Sequence, residues 1–271
     1  MAFHAYDQHL IIANEADSVT VWDWSRKTKL SQFCNGNPKG TSITSLHIVN
    51  QDVGGLILTG TCSPGEWYGH RMASVGSVLV RGGDSKSIRI WDVHMESHQA
   101  DISTEADSPT TSIVSDRGTA HVFAASFADG SVRIFDRRMA FDNAVVRQYS
   151  EHTSWVQNVR WHPTSGGQFF SASVRNRAFH HQLPGSSHTF CSTSAVTPVY
   201  WKSQRTVVHS FDRELSKFNV STGLNVYPPR PLASAYIPRS TSLVFHPTEM
   251  LYGLGEPDGT VRIIGCKLSQ T

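Results

Sequence analysis

The chain has few cysteines and no long apolar run. Its 271 residues include only Cys34, Cys62, Cys191 and Cys266, which are widely spaced and form no Cys-x-x-Cys pair. This spacing excludes a zinc ribbon and a disulfide framework, and it is typical of a reducing compartment. No stretch approaches the roughly 18 apolar residues of a membrane span. The N-terminus also lacks the charged and apolar regions of a signal peptide. We therefore expect a cytoplasmic protein without direct membrane insertion.

The chain also has little net charge. Its 24 Lys and Arg residues nearly balance 22 Asp and Glu residues, for a net charge of +2. The longest basic cluster is Arg137-Arg138, far short of a basic stripe. The sequence therefore predicts no nucleic-acid partner.

Motifs for catalysis and cofactor binding are missing as well. Gly253, Gly255 and Gly259 are too loosely spaced for a dinucleotide fingerprint, and strands follow them instead of a helix. Serine, histidine and aspartate occur without a nucleophile elbow. We predict that the chain is not an enzyme and that it takes no cofactor and no small-molecule substrate.

One group of residues could in principle bind a metal ion: His180, His181, His188 and Cys191. Its spacing matches no standard zinc pattern, and adjacent histidines in a strand point to opposite faces. The sequence therefore predicts no metal site here.

What the chain does contain is a repeated hairpin, clearest in residues 121–138. Apolar residues alternate along two short segments that are joined by Asp129-Gly130, a pair that favours the positive φ angle of a tight two-residue turn. The second segment ends at Phe135-Asp136. A single hairpin cannot bury its apolar face, so we expect further copies beside it.

Copies of this hairpin recur through the sequence. Their second strands end at Trp22-Asp23, Trp91-Asp92, Phe135-Asp136, Phe218 and Ile264. The interval is 44 residues from Trp91 to Phe135 and 46 residues from Phe218 to Ile264, with a degraded copy near Phe179 between them. This period, with its Trp-Asp endings, indicates an all-β, WD40-type β-propeller whose blades have four strands each.

The register predicts nominally seven blades in a single domain over residues 1–271. Only Met1 and Ala2 precede the tripeptide that ends an innermost strand, so we expect blade one to lack its inner strand. Residues 63–77 show no alternation, and 69 residues separate Trp22 from Trp91 where two periods are needed. We therefore expect blades two and three to be truncated at this irregular junction. It represents either a deletion or a misjoined reading frame.

Several segments resemble one known family. They are residues 3–24, 33–46, 82–93, 127–140 and 149–156. Together they resemble the C-terminal WD-repeat domain of the Raptor family, the scaffold of TOR complex one. The resemblance implies a fragment of a longer scaffold with protein partners in the TOR kinase complex. It also implies recruitment to the lysosome or vacuole surface as part of that complex.

Four residues are candidates for partner contacts. Trp155 begins an inner strand at the narrow face, where it is either an exposed anchor or buried against blade four. Arg137 and Arg138 follow Phe135-Asp136, and Arg175 stands where other turns carry an acidic residue.

The predicted function is a non-catalytic scaffold or adaptor module of TOR complex one in nutrient and growth signalling. An alternative is a WD-repeat substrate receptor of a cullin-type ubiquitin ligase, which would use Arg138. A hydrolase built on a propeller is the third possibility.

Overall fold

The computed structural model describes the following residues: 1–14, 16–62, 71–75, 78–116, 119, 121–162, 167–173, 177–182, 186–192, 197–203, 206–211, 214–219, 230–231, 242–249 and 251–265. Between residues 182 and 231 it describes the path of the backbone only.

The described residues form seven antiparallel sheets that follow one another along the chain, and each is one blade. The first three blades hold ten strands: β1 (Ala2–Phe3), β2 (His9–Ala13), β3 (Ser18–Asp23) and β4 (Thr28–Cys34); β5 (Ser42–Val49) and β6 (Leu56–Cys62); β7 (Arg71–Val75), β8 (Val78–Gly82), β9 (Ser87–Asp92) and β10 (Ser97–Ser103).

The remaining four blades are more regular. They contain β11 (Thr110–Ser115), β12 (Val122–Phe127), β13 (Val132–Asp136) and β14 (Val145–Tyr149); β15 (Val156–Trp161), β16 (Gln168–Ser173), β17 (Arg177–Gln182) and β18 (Ser186–Ser192); β19 (Thr197–Ser203), β20 (Thr206–Phe211), β21 (Glu214–Asn219) and β22 (Arg230–Pro231); β23 (Ser242–Phe245), β24 (Leu251–Gly255) and β25 (Val261–Gly265).

The first strands of the seven blades form a closed ring. Each of them lies against the first strand of the next blade, and β23 of blade seven returns to β1 of blade one. This arrangement confirms the predicted β-propeller. It also places every sheet between two others, so a complete blade is covered on both faces where its neighbours are complete as well.

Blade four shows how the repeat builds its core. Phe123 of β12 lies opposite Phe135 of β13, and the two rings stack at 4.9 Å between centroids. Both pack with Val80 and Ile88 of blade three in one buried cluster. The opposite face, including Ile134, packs on blade five. The Trp-Asp register of the sequence therefore marks the residue that packs against the preceding blade.

The turn at Asp129-Gly130 differs in detail from the prediction. Only Gly130 has a positive φ angle, +94°, whereas a two-residue turn of the expected kind needs two such residues. Phe127 donates its amide to the carbonyl of Ser131, so three residues lie in the loop. Gly259 (φ +85°) closes an equivalent loop in blade seven, where Glu256 bonds Thr260. Both are three-residue loops that end on a left-handed glycine.

The structure corrects the expectation that blade one lacks its inner strand. Ala2 and Phe3 form that strand in shortened form, pairing with Ile11 and Leu10. Burial of Phe3 makes so short a strand possible, because its ring packs with Trp24 of blade one and His246 of blade seven.

The junction at residues 63–77 is corrected in part. Blade two is truncated as expected, with only β5 and β6 among the described residues. Blade three, however, has four strands, because β7 lies within this junction and forms the innermost one. Met72 and Ala73 are both buried, so neighbouring residues are covered on both faces of β7. Such a strand carries no alternating pattern for sequence reasoning to detect.

Helices are almost absent from the described part of the chain. It contains two 3-10 helices, Gln51–Val53 and Phe141–Asn143, of three residues each. Neither is long enough to cross a membrane.

One titratable side chain near the centre of the ring has a strongly shifted pKa. Burial lowers the pKa of His47, on β5, from 6.5 to about 4, and the guanidinium of Arg160, on β15, adds repulsion. The imidazole is therefore neutral in the folded protein at neutral pH. Unfolding lets it take up a proton below pH 6.5.

We therefore expect acid to destabilise the fold through His47. Its contribution is complete above pH 6.5 and is lost as the pH falls towards 4, by up to about 3 kcal/mol. The variant His47→Gln should lose less stability between pH 7 and pH 4.5 than the parent in urea unfolding. The exposed His94→Gln is the control. An unchanged acid loss in His47→Gln would contradict the assignment.

Candidate interaction surface

Trp155 lies immediately before β15, on the same face of the ring as the Gly130 turn of blade four. Its side chain is 49% exposed, while the neighbouring Val156 is completely buried. The loop before Trp155 starts at Ser150, after β14 of blade four, and so connects blades four and five. An aromatic ring held half in solvent at such a loop is suited to act as an anchor for a protein partner.

The turn of blade four at Asp129-Gly130 packs against this loop. A Cβ atom at Gly130 would lie 2.4 Å from the carbonyl oxygen of His152 and 3.3 Å from that of Ser154. Glycine is therefore needed here for close backbone approach as well as for its positive φ angle. The amide of Ser131 donates to Asp129 Oδ1 at 2.7 Å and stabilises the same turn.

A buried hydrogen-bonded set holds the loop to blade five. The Oγ atom of Ser171 lies 2.7 Å from Nε2 of His152 and 2.7 Å from Nε2 of His181. Phe169 stacks on the His181 ring at 4.4 Å, and Phe179 meets His152 edge-on at 4.7 Å. Because one serine hydroxyl bridges both rings, one imidazole accepts its proton and the other donates to its oxygen.

Sequence reasoning did not detect this set. Blade five has no acidic residue at positions 174–176, where the clearer copies of the hairpin carry an aspartate before their third strand. In the structure His181 lies opposite Phe169, as Phe135 lies opposite Phe123 in blade four. The histidine therefore occupies the position of the repeat tryptophan. The signal was its interval of 46 residues after Phe135.

Blade four adds a third restraint beside Trp155. Thr111 donates its hydroxyl to the carbonyl oxygen of Val156, and the same hydroxyl lies 3.0 Å from Ser126 Oγ. These three contacts with the blade-four turn, Ser171 and Thr111 fix the backbone on both sides of Trp155. The anchor therefore stands on a loop whose geometry is set before any partner binds.

Arg137 and Arg138 lie at the opposite face of the ring. They follow β13 at the end away from Gly130, so they do not form one site with Trp155. The exposed Arg138 side chain bonds Asp136, with Nη2 to Oδ2 at 2.6 Å and Nε to Oδ1 at 3.0 Å. These bonds hold the pKa of Asp136 below its usual value and raise that of Arg138. Burial lowers the pKa of Arg137, against the opposing effect of Asp136.

The other sequence candidates lie partly or wholly outside the described residues. Arg175 is among those outside. The backbone register places His180 opposite His188, but their side chains and that of Cys191 are not described. Within the described residues, no group of three or more histidine, cysteine, aspartate or glutamate side chains could hold a metal ion.

The closed ring and the recurring third-strand register define the chain as a WD-repeat β-propeller. A solved structure of Raptor from Chaetomium thermophilum has the same fold, with a TM-score of 0.87. The match covers 98% of this chain and 28% of that chain at 24% identity. No protein-family model matches the sequence.

Two curated proteins are similar to this chain in sequence as well. The target of rapamycin complex 1 subunit KOG1 of Saccharomyces cerevisiae is 30% identical over 202 residues, 62% of this chain. The protein raptor homolog of Dictyostelium discoideum is 26% identical over 97% of this chain. These two relatives are a subunit of target of rapamycin complex 1 and a raptor homolog, which confirms the resemblance found in the sequence.

The chain is much shorter than these relatives. It spans 13% of the length of the yeast protein and 20% of the Dictyostelium protein. The alternative of a ubiquitin-ligase substrate receptor gains no support from either of them.

Proposed function

We propose that the chain is a non-catalytic interaction module of TOR complex 1, with residues 1–271 forming one propeller domain. Its partners would be proteins of the TOR kinase complex, bound in the cytoplasm or at the lysosome or vacuole surface after recruitment. The relatives support this assignment to the complex. The propeller would act by binding its protein partners on the surface of a rigid ring.

The observation that carries the proposed contact site is the fixed, half-exposed Trp155. Partner anchors are enriched in tryptophan because a large apolar ring gains much from burial and loses little side-chain freedom. Arg137, Arg138 and Arg175 complete the set of proposed contact residues. Arg138 is the weakest of these, since its guanidinium already bonds Asp136.

Site-specific photo-cross-linking tests the site in the full-length parent protein. A benzophenone amino acid in place of Trp155 should cross-link to a subunit of the purified TOR complex. Trp155→Ala should then weaken binding of that subunit by about tenfold or more. Phe141 is the matched control, because it is also 49% exposed but lies with Arg138 at the other face. Cross-links from position 141 alone, or binding unaffected by Trp155→Ala, would contradict the site.

A further inference from the structure

The face of blade three that is turned toward blade two is less covered than the same face of blades four and five. Trp91 of blade three lies opposite Leu79, in the register of Phe135 and His181 in blades four and five. Such a residue packs against the preceding blade, and Phe135 and His181 are 0% exposed. Trp91, whose preceding blade has two described strands, is 38% exposed. The blade-two side of blade three is therefore an incompletely covered wall.

The facing wall of blade one shows the same effect. Phe33 of β4 pairs with Val19, as Tyr149 of β14 pairs with Val132 in blade four. Both positions face the following blade, and Tyr149 is 5% exposed because Phe169 of blade five covers it. Phe33 is 41% exposed. Two aromatic side chains thus line opposite sides of one slot, which we call the blade-two slot.

The floor of the blade-two slot is the outer edge of β6. In the complete blades a third strand pairs with this edge of the second strand, but no described strand pairs with β6 there. Side chains of β6 alternate between the two walls: Thr59 accepts a hydrogen bond from Asn35 at the blade-one side, and Leu56 is exposed. Amide and carbonyl groups along such an edge are met by an extended chain, not by a helix.

The charged side chains beside Trp91 indicate what charge a peptide bound in the slot can carry. Arg89 and Asp101 lie on the same face of blade three and bond each other at 3.1 Å, and His98 lies 3.0 Å from the same carboxylate. The positive and negative groups compensate each other locally. The wall therefore offers no strong attraction to a peptide of one charge sign.

We propose that the blade-two slot binds an extended segment of a partner protein, which adds to β6 as a strand. Its apolar side chains alternate between the walls of Phe33 and Trp91, so each face of the segment carries at least one apolar side chain. Main-chain hydrogen bonds to β6 hold the segment, and the two aromatic walls select its side chains. This site is independent of Trp155 and of the proposed role in TOR complex 1.

The test uses the 271-residue chain and a fluorescent peptide of residues 131–149. This peptide reproduces the third and fourth strands of blade four, the pair that blade two lacks among its described residues. Fluorescence anisotropy should show saturable binding, and hydrogen exchange of amides in residues 56–62 should slow in the complex. A peptide with Arg133→Pro should bind at least about tenfold more weakly, because it lacks a main-chain donor within the strand.

Variants of the protein locate the bound peptide. Phe33→Lys places a charge in the slot and should weaken binding by about tenfold or more, whereas Met95→Lys, at a highly exposed position, should not. Absence of binding would overturn the proposal, and so would binding without protection of residues 56–62. Sedimentation of the protein alone adds one further outcome. A dimer that Phe33→Lys dissociates would identify a second copy as the occupant and would also overturn it.

Discussion

Replacement of Gly130 by alanine is expected to lower the free energy of unfolding by about 2 kcal/mol or more. The new Cβ would meet the carbonyl oxygen of His152 at 2.4 Å, and this oxygen belongs to the backbone and not to the end of a flexible side chain. Relief of this overlap requires the loop before Trp155 to move. Urea unfolding measures the loss, and the cross-linking yield from position 155 reports the displaced loop.

Gly259 provides the matched control for this substitution. It has a φ angle of +85° in the same kind of loop, and nothing lies within 4 Å of a Cβ built there. Gly259→Ala should therefore show only the conformational cost of the left-handed backbone, about 1 kcal/mol. Equal losses in the two variants would contradict the role of Gly130 in supporting the neighbouring loop.

The second large effect is expected at Ser171. Ser171→Ala removes the hydroxyl that contacts Nε2 of both His152 and His181 in a buried aromatic surrounding. Two buried polar atoms then lose a hydrogen bond, at a cost of about 2–4 kcal/mol in the free energy of unfolding. Chemical unfolding at neutral pH measures this loss.

Blade four supplies the control for Ser171→Ala. At the equivalent positions it carries Ala106, Ala125 and Phe135, all buried, and so it uses an apolar set in place of the polar one. The triple variant His152→Ala, Ser171→Ala and His181→Phe introduces this set into blade five. It should be more stable than Ser171→Ala alone, because neither imidazole of this set is left buried without its hydroxyl partner. A triple variant less stable than the single variant would show that the polar set is not the source of the loss.

The sequence predicted the parts of the fold that depend on period and local alternation. The hairpin of blade four, the intervals to Phe218 and Ile264, and the truncation of blade two follow from these patterns. The inner strand β7 was missed because Met72 and Ala73 are buried on opposite faces. The inner strand of blade one was missed because contacts with blade seven, far along the chain, stabilise two residues.

The candidate site was less accessible to sequence reasoning. Trp155 was selected from its place before an inner strand, but the choice between exposure and burial depended on loop contacts with Gly130 and Ser171. His181 was overlooked because histidine is not the residue expected at the repeat tryptophan position. Its role depends on the hydroxyl of Ser171, which comes from the adjacent strand. Such partners are set by register, and composition does not reveal them.

The contact between blades seven and one is made differently from the contacts between strands within a blade. Among the described residues no strand pairing crosses from blade seven to blade one. Phe3, Trp24 and His246 meet there through their rings, with centroids 5.3–6.4 Å apart. Side-chain contacts separate without breaking any ladder of backbone hydrogen bonds. The circle can therefore open at this aromatic seam, as at the other contacts between blades, while the individual sheets keep their pairing.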